Sequence, residues 1–187
     1  SMLMDERFQN LRGALFSSRS DLYRFRDLVI NSVLATDIAD KELKKLRNNR
    51  WQTAFDASSG TEERNSRDAV NRKATIVIEH LIQASDVSHT MQHWHVYLKW
   101  NQRLFEESYR AYQEGRAEND PSIGWAKGEI GFFDFYIIPL AKKLKECGVF
   151  GKSSDEYLNY ALQNRSEWES KGDEVVAEMM EQFRCEA

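Results

Sequence analysis

Apolar residues recur at spacings of three and four along most of this chain. Leu22, Phe25, Val29, Val33 and Leu34 keep that rhythm within Ser20–Asn49, with polar residues between them. That is the pattern of an amphipathic helix. Thr36-Asp37 interrupts it, and Ile38 to Leu46 resumes it. Residues 56–68, DASSGTEERNSRD, lack large apolar side chains and read as an exposed loop. Val70, Ala74, Val77, Ile78 and Leu81 then mark a helix over Ala69–Ala84. The longest predicted helix, Thr90–Ala117, carries Trp94, Tyr97, Leu98, Leu104, Phe105 and Tyr112 on a broad face. Asp120-Pro121 predicts the start of another, because proline is tolerated in a first helical turn. That helix is expected to run through GFFDFYIIPL, Gly131 to Leu140, as far as Cys147, with Gly148 and Gly151 ending it. Ser153-x-x-Glu156 has the form of a capping box and opens a C-terminal helical segment over 153–187, past Trp168. No stretch alternates with period two for long enough to build a sheet, and no repeat or long heptad run is present.

Composition supports that reading. Glycine occurs 9 times and proline twice, whereas strand-and-turn folds use both freely. The expectation is an all-α, multi-helix bundle, with 1–187 as a single soluble helical domain and 1–14 as a lead-in. Ser1-Met2 reads as an expression scar, so the native chain is expected to extend upstream. The formal charge is -4 and the basic residues are scattered among acids, so no nucleic-acid polymer is expected as a partner. The most apolar stretch, Ile130–Leu140, is short and contains Asp134, which argues against membrane insertion. Two cysteines, Cys147 and Cys185, make no disulfide framework and fit a reducing, cytoplasmic setting.

Candidate chemistry is concentrated in SDVSHTMQHWH, which holds three of the four histidines. If the chain were helical from Asp86 onward, Asp86, His89 and His93 would share a face and could hold zinc, iron or manganese. The segment is not HExxH, since Thr90 stands where that pattern has its glutamate. The chain also lacks a GxSxG elbow, a P-loop and a Rossmann glycine fingerprint.

Four segments taken in order carry a resemblance. They are LATDIAD (Leu34–Asp40), QASDVSHTMQHWHVYLKWNQRLFEES (Gln83–Ser108), EIGFFDFYIIPL (Glu129–Leu140) and, more weakly, QNRSEW (Gln163–Trp168). Together they resemble the C-terminal part of the catalytic domain of class I 3',5'-cyclic nucleotide phosphodiesterases. The resemblance implies cAMP or cGMP as substrate and a site of two divalent metals, zinc with magnesium or manganese. These activate a hydroxide that attacks phosphorus. It places Asp86 at a metal-ligand position and Asp37 behind the ligands. Ile38, His89, Leu104, Glu129 and Phe132 fall at nucleotide-pocket positions, with Leu104 and Phe132 clamping the purine. Trp100 is expected as a buried anchor of the long helix.

Two departures matter. The family usually has glutamine where this chain has Glu129, and an ionised glutamate accepts hydrogen bonds but donates none. It should suit guanine and disfavour adenine. The family's catalytic histidine and its His-Asp ligands lie upstream of the Ala-Thr-Asp run, yet no histidine precedes His80 here. No catalytic residue is therefore expected in this chain, which should be inactive alone and retain no metal. A homo-oligomer is expected through a core face left uncovered. The competing readings are a degenerate module for nucleotide binding, regulation or dimerisation, and an unrelated helical metalloprotein built on Asp86, His89 and His93.

Overall fold

The computed structural model describes residues 4–55 and 66–186, and every regular element among them is helical. A 3-10 turn (Glu6–Phe8) leads into α1 (Gln9–Leu15), α2 (Arg19–Ala35), α3 (Lys41–Phe55) and α4 (Arg67–Asp86). A second 3-10 turn (Ser88–Met91) precedes α5 (Trp94–Gln113) and α6 (Trp125–Phe132). A π turn (Phe133–Ile137), α7 (Ile138–Cys147), a third 3-10 turn (Gly151–Ser153) and α8 (Ser154–Glu186) complete the chain. The all-α expectation holds. The predicted lead-in is helical from Glu6, and most of the predicted 56–68 loop lies outside the described residues, with Arg67 and Asp68 already in α4. No helix among the described residues is long and apolar enough to cross a membrane.

The chain divides into two compact units, residues 1–83 and 84–187. In the first, the Ser18 side chain accepts from the Asp21 N–H and starts α2. The far end of α2 leaves carbonyls without helical partners, and side chains from later helices meet them. Arg47 donates to Leu34 O at 3.2 Å and to Asp37 O at 2.9 Å, and Gln83 Nε2 donates to Ala35 O at 2.8 Å. Trp51 stacks on Phe55 at 4.3 Å and lies 4.6 Å from the buried His80 ring. Arg50 Nη1 reaches both oxygens of the buried Glu79, at 2.9 and 3.1 Å. Much of the apolar stripe of α2 nonetheless faces solvent, with Val33 64% exposed.

In the second unit, α8 packs against α5, α6, α7 and the turn Ser88–Met91. Its core holds Tyr97, Phe105, Phe133, Ile137, Leu144, Ala161 and Trp168. A Cβ on Gly172 would fall 2.7 Å from Ala126 Cβ, so glycine there permits the close approach of α8 to α6. Two features differ from the sequence reading. Asp120-Pro121 does not begin a helix. Asp120 instead accepts from the Ser122 N–H and hydroxyl at 2.9 and 2.7 Å, closing a turn with proline at its second position. Gly124 then takes a left-handed φ of 84°, and α6 starts only at Trp125. The aromatic block is also not one regular helix. Pro139 has no N–H to give and would crowd the carbonyl four residues back, and the chain widens into the π turn just before it.

Candidate functional site

The buried stripe of α5 is Tyr97, Asn101 and Phe105, spaced by four. Two of these carry polar groups, and buried polar groups need partners. Trp125 Nε1 donates to Asn101 Oδ1 at 3.0 Å, and Asn101 Nδ2 donates to Tyr97 Oη at 3.2 Å. Trp168 Nε1 donates to the same Oη at 2.6 Å. A phenol oxygen accepts twice and has one proton to give. With both acceptor positions taken, Tyr97 gives its proton to Glu129 Oε2, 2.5 Å away on α6. Burial, and then the charge of Glu129, hold the Tyr97 phenol well above its ordinary range, so it stays a neutral donor. Burial pushes the Glu129 carboxyl up, opposed by hydrogen bonds from Tyr97 and Asn101.

This shift has a measurable sign. A carboxyl whose folded pKa lies above its unfolded one favours folding most when protonated, and that contribution is lost as pH rises through the folded value. Glu129→Gln is therefore expected to raise the urea midpoint at neutral and alkaline pH and to change it least in acid. A midpoint difference that does not widen with rising pH would contradict the assignment.

His89 lies in the turn Ser88–Met91, with its ring 6.3 Å from Tyr97 at 13° and 6.2 Å from Trp100. Burial lowers its pKa, partly offset by the charge of Asp86, which favours the neutral ring. Tyr97 thus stands between His89 at its ring and Glu129 at its hydroxyl. Leu104, further along α5, is 50% exposed, and Phe132 ends α6 with its ring stacked on Tyr136 at 5.5 Å. Trp100 is not the buried anchor expected. It is 52% exposed with Arg103 over its ring, because it neighbours Asn101 and falls off the Tyr97–Phe105 stripe. Trp168 is the buried indole of this region.

The metalloprotein reading of Asp86, His89 and His93 does not survive. It required one continuous helix, but α4 ends at Asp86, and Gln92 is extended just before α5. His93 Nε2 instead pairs with Tyr160 Oη at 2.9 Å, and its ring lies 5.6 Å from His95. Among the described residues no group of three or more His, Cys, Asp or Glu is placed to hold a metal ion. Asp86 stands exposed at its helix end. In the first unit, Asp37 Oδ1 accepts from the N–H groups of Ala39 and Asp40 at 3.1 and 3.2 Å, shaping the turn after α2. Ile38 is partly exposed in that same turn.

The QNRSEW segment explains its own spacing. Asn164 Nδ2 donates to Thr90 O at 2.9 Å and Gln92 O at 2.8 Å, holding the His89 turn. Arg165 engages Asp134 at 3.0 Å and also Glu169, and Trp168 reaches Tyr97. Sequence reading missed Asn101 and Trp125. The available signal was an asparagine placed four residues from both Tyr97 and Phe105 on an apolar stripe.

The profile of the 3'5'-cyclic nucleotide phosphodiesterase family matches residues 2–158. The chain belongs to that family. It is 28% identical over 131 residues to a Caenorhabditis elegans protein named "Probable 3',5'-cyclic-AMP phosphodiesterase pde-4". The match covers 66% of this chain and 19% of that protein, so this chain spans about a fifth of its relative. No match to a solved structure was found.

Proposed function

We propose that this chain forms the nucleotide-reading part of a 3',5'-cyclic nucleotide phosphodiesterase. The observation that carries the proposal is the convergence on Tyr97. His89 lies against its ring, Glu129 accepts its proton, and Phe132 sits three residues beyond Glu129 on the same helix. Polar groups fixed beside apolar side chains are what a purine site needs, with edge contacts for identity and flat contacts for affinity. Leu104 and Phe132 supply the flat contacts in this reading, and His89 and Glu129 the polar ones.

The described residues do not make a metal site, and no step of phosphodiester cleavage is assigned to them. Asp86 is a candidate single ligand for a divalent ion such as zinc, magnesium or manganese. One carboxylate cannot hold two such ions, since each needs several ligands. The expectation is a chain that binds cyclic nucleotide without hydrolysing it. Ligand-observed NMR with cAMP and cGMP should show binding that Phe132→Ala weakens about tenfold or more, as expected for loss of a base-stacking aromatic. Product analysis with Mg²⁺ or Mn²⁺ present should show no 5'-nucleotide. Metal-dependent turnover abolished by Asp86→Ala would overturn the inactive reading, and absence of any binding would overturn the nucleotide site.

A further inference from the structure

We infer that the apolar face of α2 is an interface between two copies of this chain, joined two-fold with their α2 helices antiparallel. The face lies in the first unit, so the inference stands apart from the nucleotide reading. Phe25, Val29 and Val33 follow one another at spacings of four, and Ile30 and Leu34 form a second row beside them. Residues four apart lie on one side of a helix. All five are exposed, Val29 at 43% and Ile30 at 47%. Among the described residues, no other helix exposes three large apolar side chains in one such row. The opposite side of α2 serves its own unit, with Ala35 buried and Leu28 and Ser32 half-buried. Single exposed apolar residues are ordinary, whereas a contiguous apolar face marks an interaction site.

The face fits a copy of itself. Side chains four apart form ridges, and ridges of one helix pack into the grooves of another with the axes crossing at about 50°. Phe25–Val29–Val33 and Ile30–Leu34 supply two such ridges with a groove between them. Val29 and Ile30 stand near the middle of the face, and β-branching keeps their side chains stiff at the crossing point.

Charge selects the occupant and its direction. Arg19 and Arg26, seven residues apart, share this side toward the N-terminal end of α2. Asp37 and Asp40 follow its C-terminal end, and no basic residue lies between Asp27 and Lys41. An antiparallel pair sets the arginine end of each helix against the aspartate end of the other, whereas a parallel pair would set like ends together. Asp37 and Asp40 each accept backbone N–H groups through Oδ1 and keep their charge while doing so. Arg26, ion-paired with Asp27 at 3.3 Å, falls opposite Val33 of the second copy. Its methylene stem can cover that valine while the guanidinium stays at the rim, where it already lies 5.1 Å from the Tyr23 ring centre. An anionic lipid surface fits this face less well, because Asp37, Asp40 and Glu42 crowd one end of it. A helix of 17 residues is about 25 Å long, small beside a standard interface, so the pair should be reversible.

The test is sedimentation equilibrium of the whole chain over a dilution series, with Val29→Glu and Val33→Glu as variants. Both positions are exposed in a single copy and glutamate is a good helix former, so the far-UV helical signal should be unchanged. The expected result is a monomer–dimer equilibrium with Kd of about 1–100 µM, weakened about tenfold or more by either substitution. Direction is read by oxidation in a Cys147→Ser, Cys185→Ser background. An equimolar mixture of Arg26→Cys and Val33→Cys should form a disulfide-linked pair and neither variant alone should, since bridged cysteines need Cα atoms within about 7 Å. A monomer at every concentration would overturn the interface. A dimer that both glutamate variants leave intact would overturn its assignment to α2. Self-linking of either cysteine variant, or a mixture that does not link, would overturn the antiparallel order.

Discussion

Trp168→Ala is expected to destabilise the second unit by about 3–5 kcal/mol, the usual cost of removing a large buried aromatic. Trp168 is 1% exposed, lies 5.6 Å edge-on from Trp94 and donates to Tyr97. Its loss opens a cavity among helices α5, α6 and α8 and leaves the Tyr97 oxygen with one donor fewer. Trp168→Phe keeps most of the volume and loses the N–H, so it should cost less, about 1–3 kcal/mol. Hydrogen exchange of α5 and α8 amides is the suitable readout, because two units need not unfold together. Protection in α5 should fall in both variants and fall further in Trp168→Ala. Unchanged α5 protection in Trp168→Ala would show that the indole does not hold the Tyr97 network.

The second large effect belongs to the first unit. Glu79 is 2% exposed, and Arg50 is the cation its carboxylate meets. Arg50→Ala leaves a buried carboxylate without that partner, and breaking such a pair costs about 3 kcal/mol or more. The cost belongs to the stranded charge more than to the ion pair itself, whose arginine is half exposed. The double variant Arg50→Ala with Glu79→Gln should therefore recover a substantial part of the loss, as seen in urea denaturation followed by hydrogen exchange in α4. If the double variant is no more stable than Arg50→Ala alone, stranded charge is not the cause.

The helical fold was legible because periodicity and the scarcity of glycine and proline speak for the whole chain at once. Boundaries failed where side-chain chemistry outweighed pattern. Asp120 used its carboxylate to close a turn, so Pro121 never began a helix. A π turn precedes Pro139 in the first turn of α7, which apolar content alone could not reveal. The same holds for the site. Glu129 stood out by departing from the family's usual residue, and the structure places it on α6 accepting from Tyr97. The polar partners did not stand out. Trp125 was not singled out at all, and Trp168 stood out only as the end of QNRSEW, yet each donates an N–H into one network. Trp100 was misjudged because an aromatic on an amphipathic helix can sit one position off the buried stripe. The Asp86–His89–His93 cluster failed because sequence spacing implies a shared face only while the helix continues, and α4 stops at its first member.

The most direct test of the account uses the five tryptophan indole N–H signals, assigned by single Trp→Phe variants. Two of them, Trp125 and Trp168, are the donors that feed Asn101 and Tyr97 and, through them, Glu129. Titration with cGMP at neutral pH should shift the Trp125 and Trp168 signals together, with one saturation curve, and Glu129→Ala should abolish both shifts. Saturable binding of cGMP that leaves both indole signals in place would contradict the claim that this network reads the nucleotide.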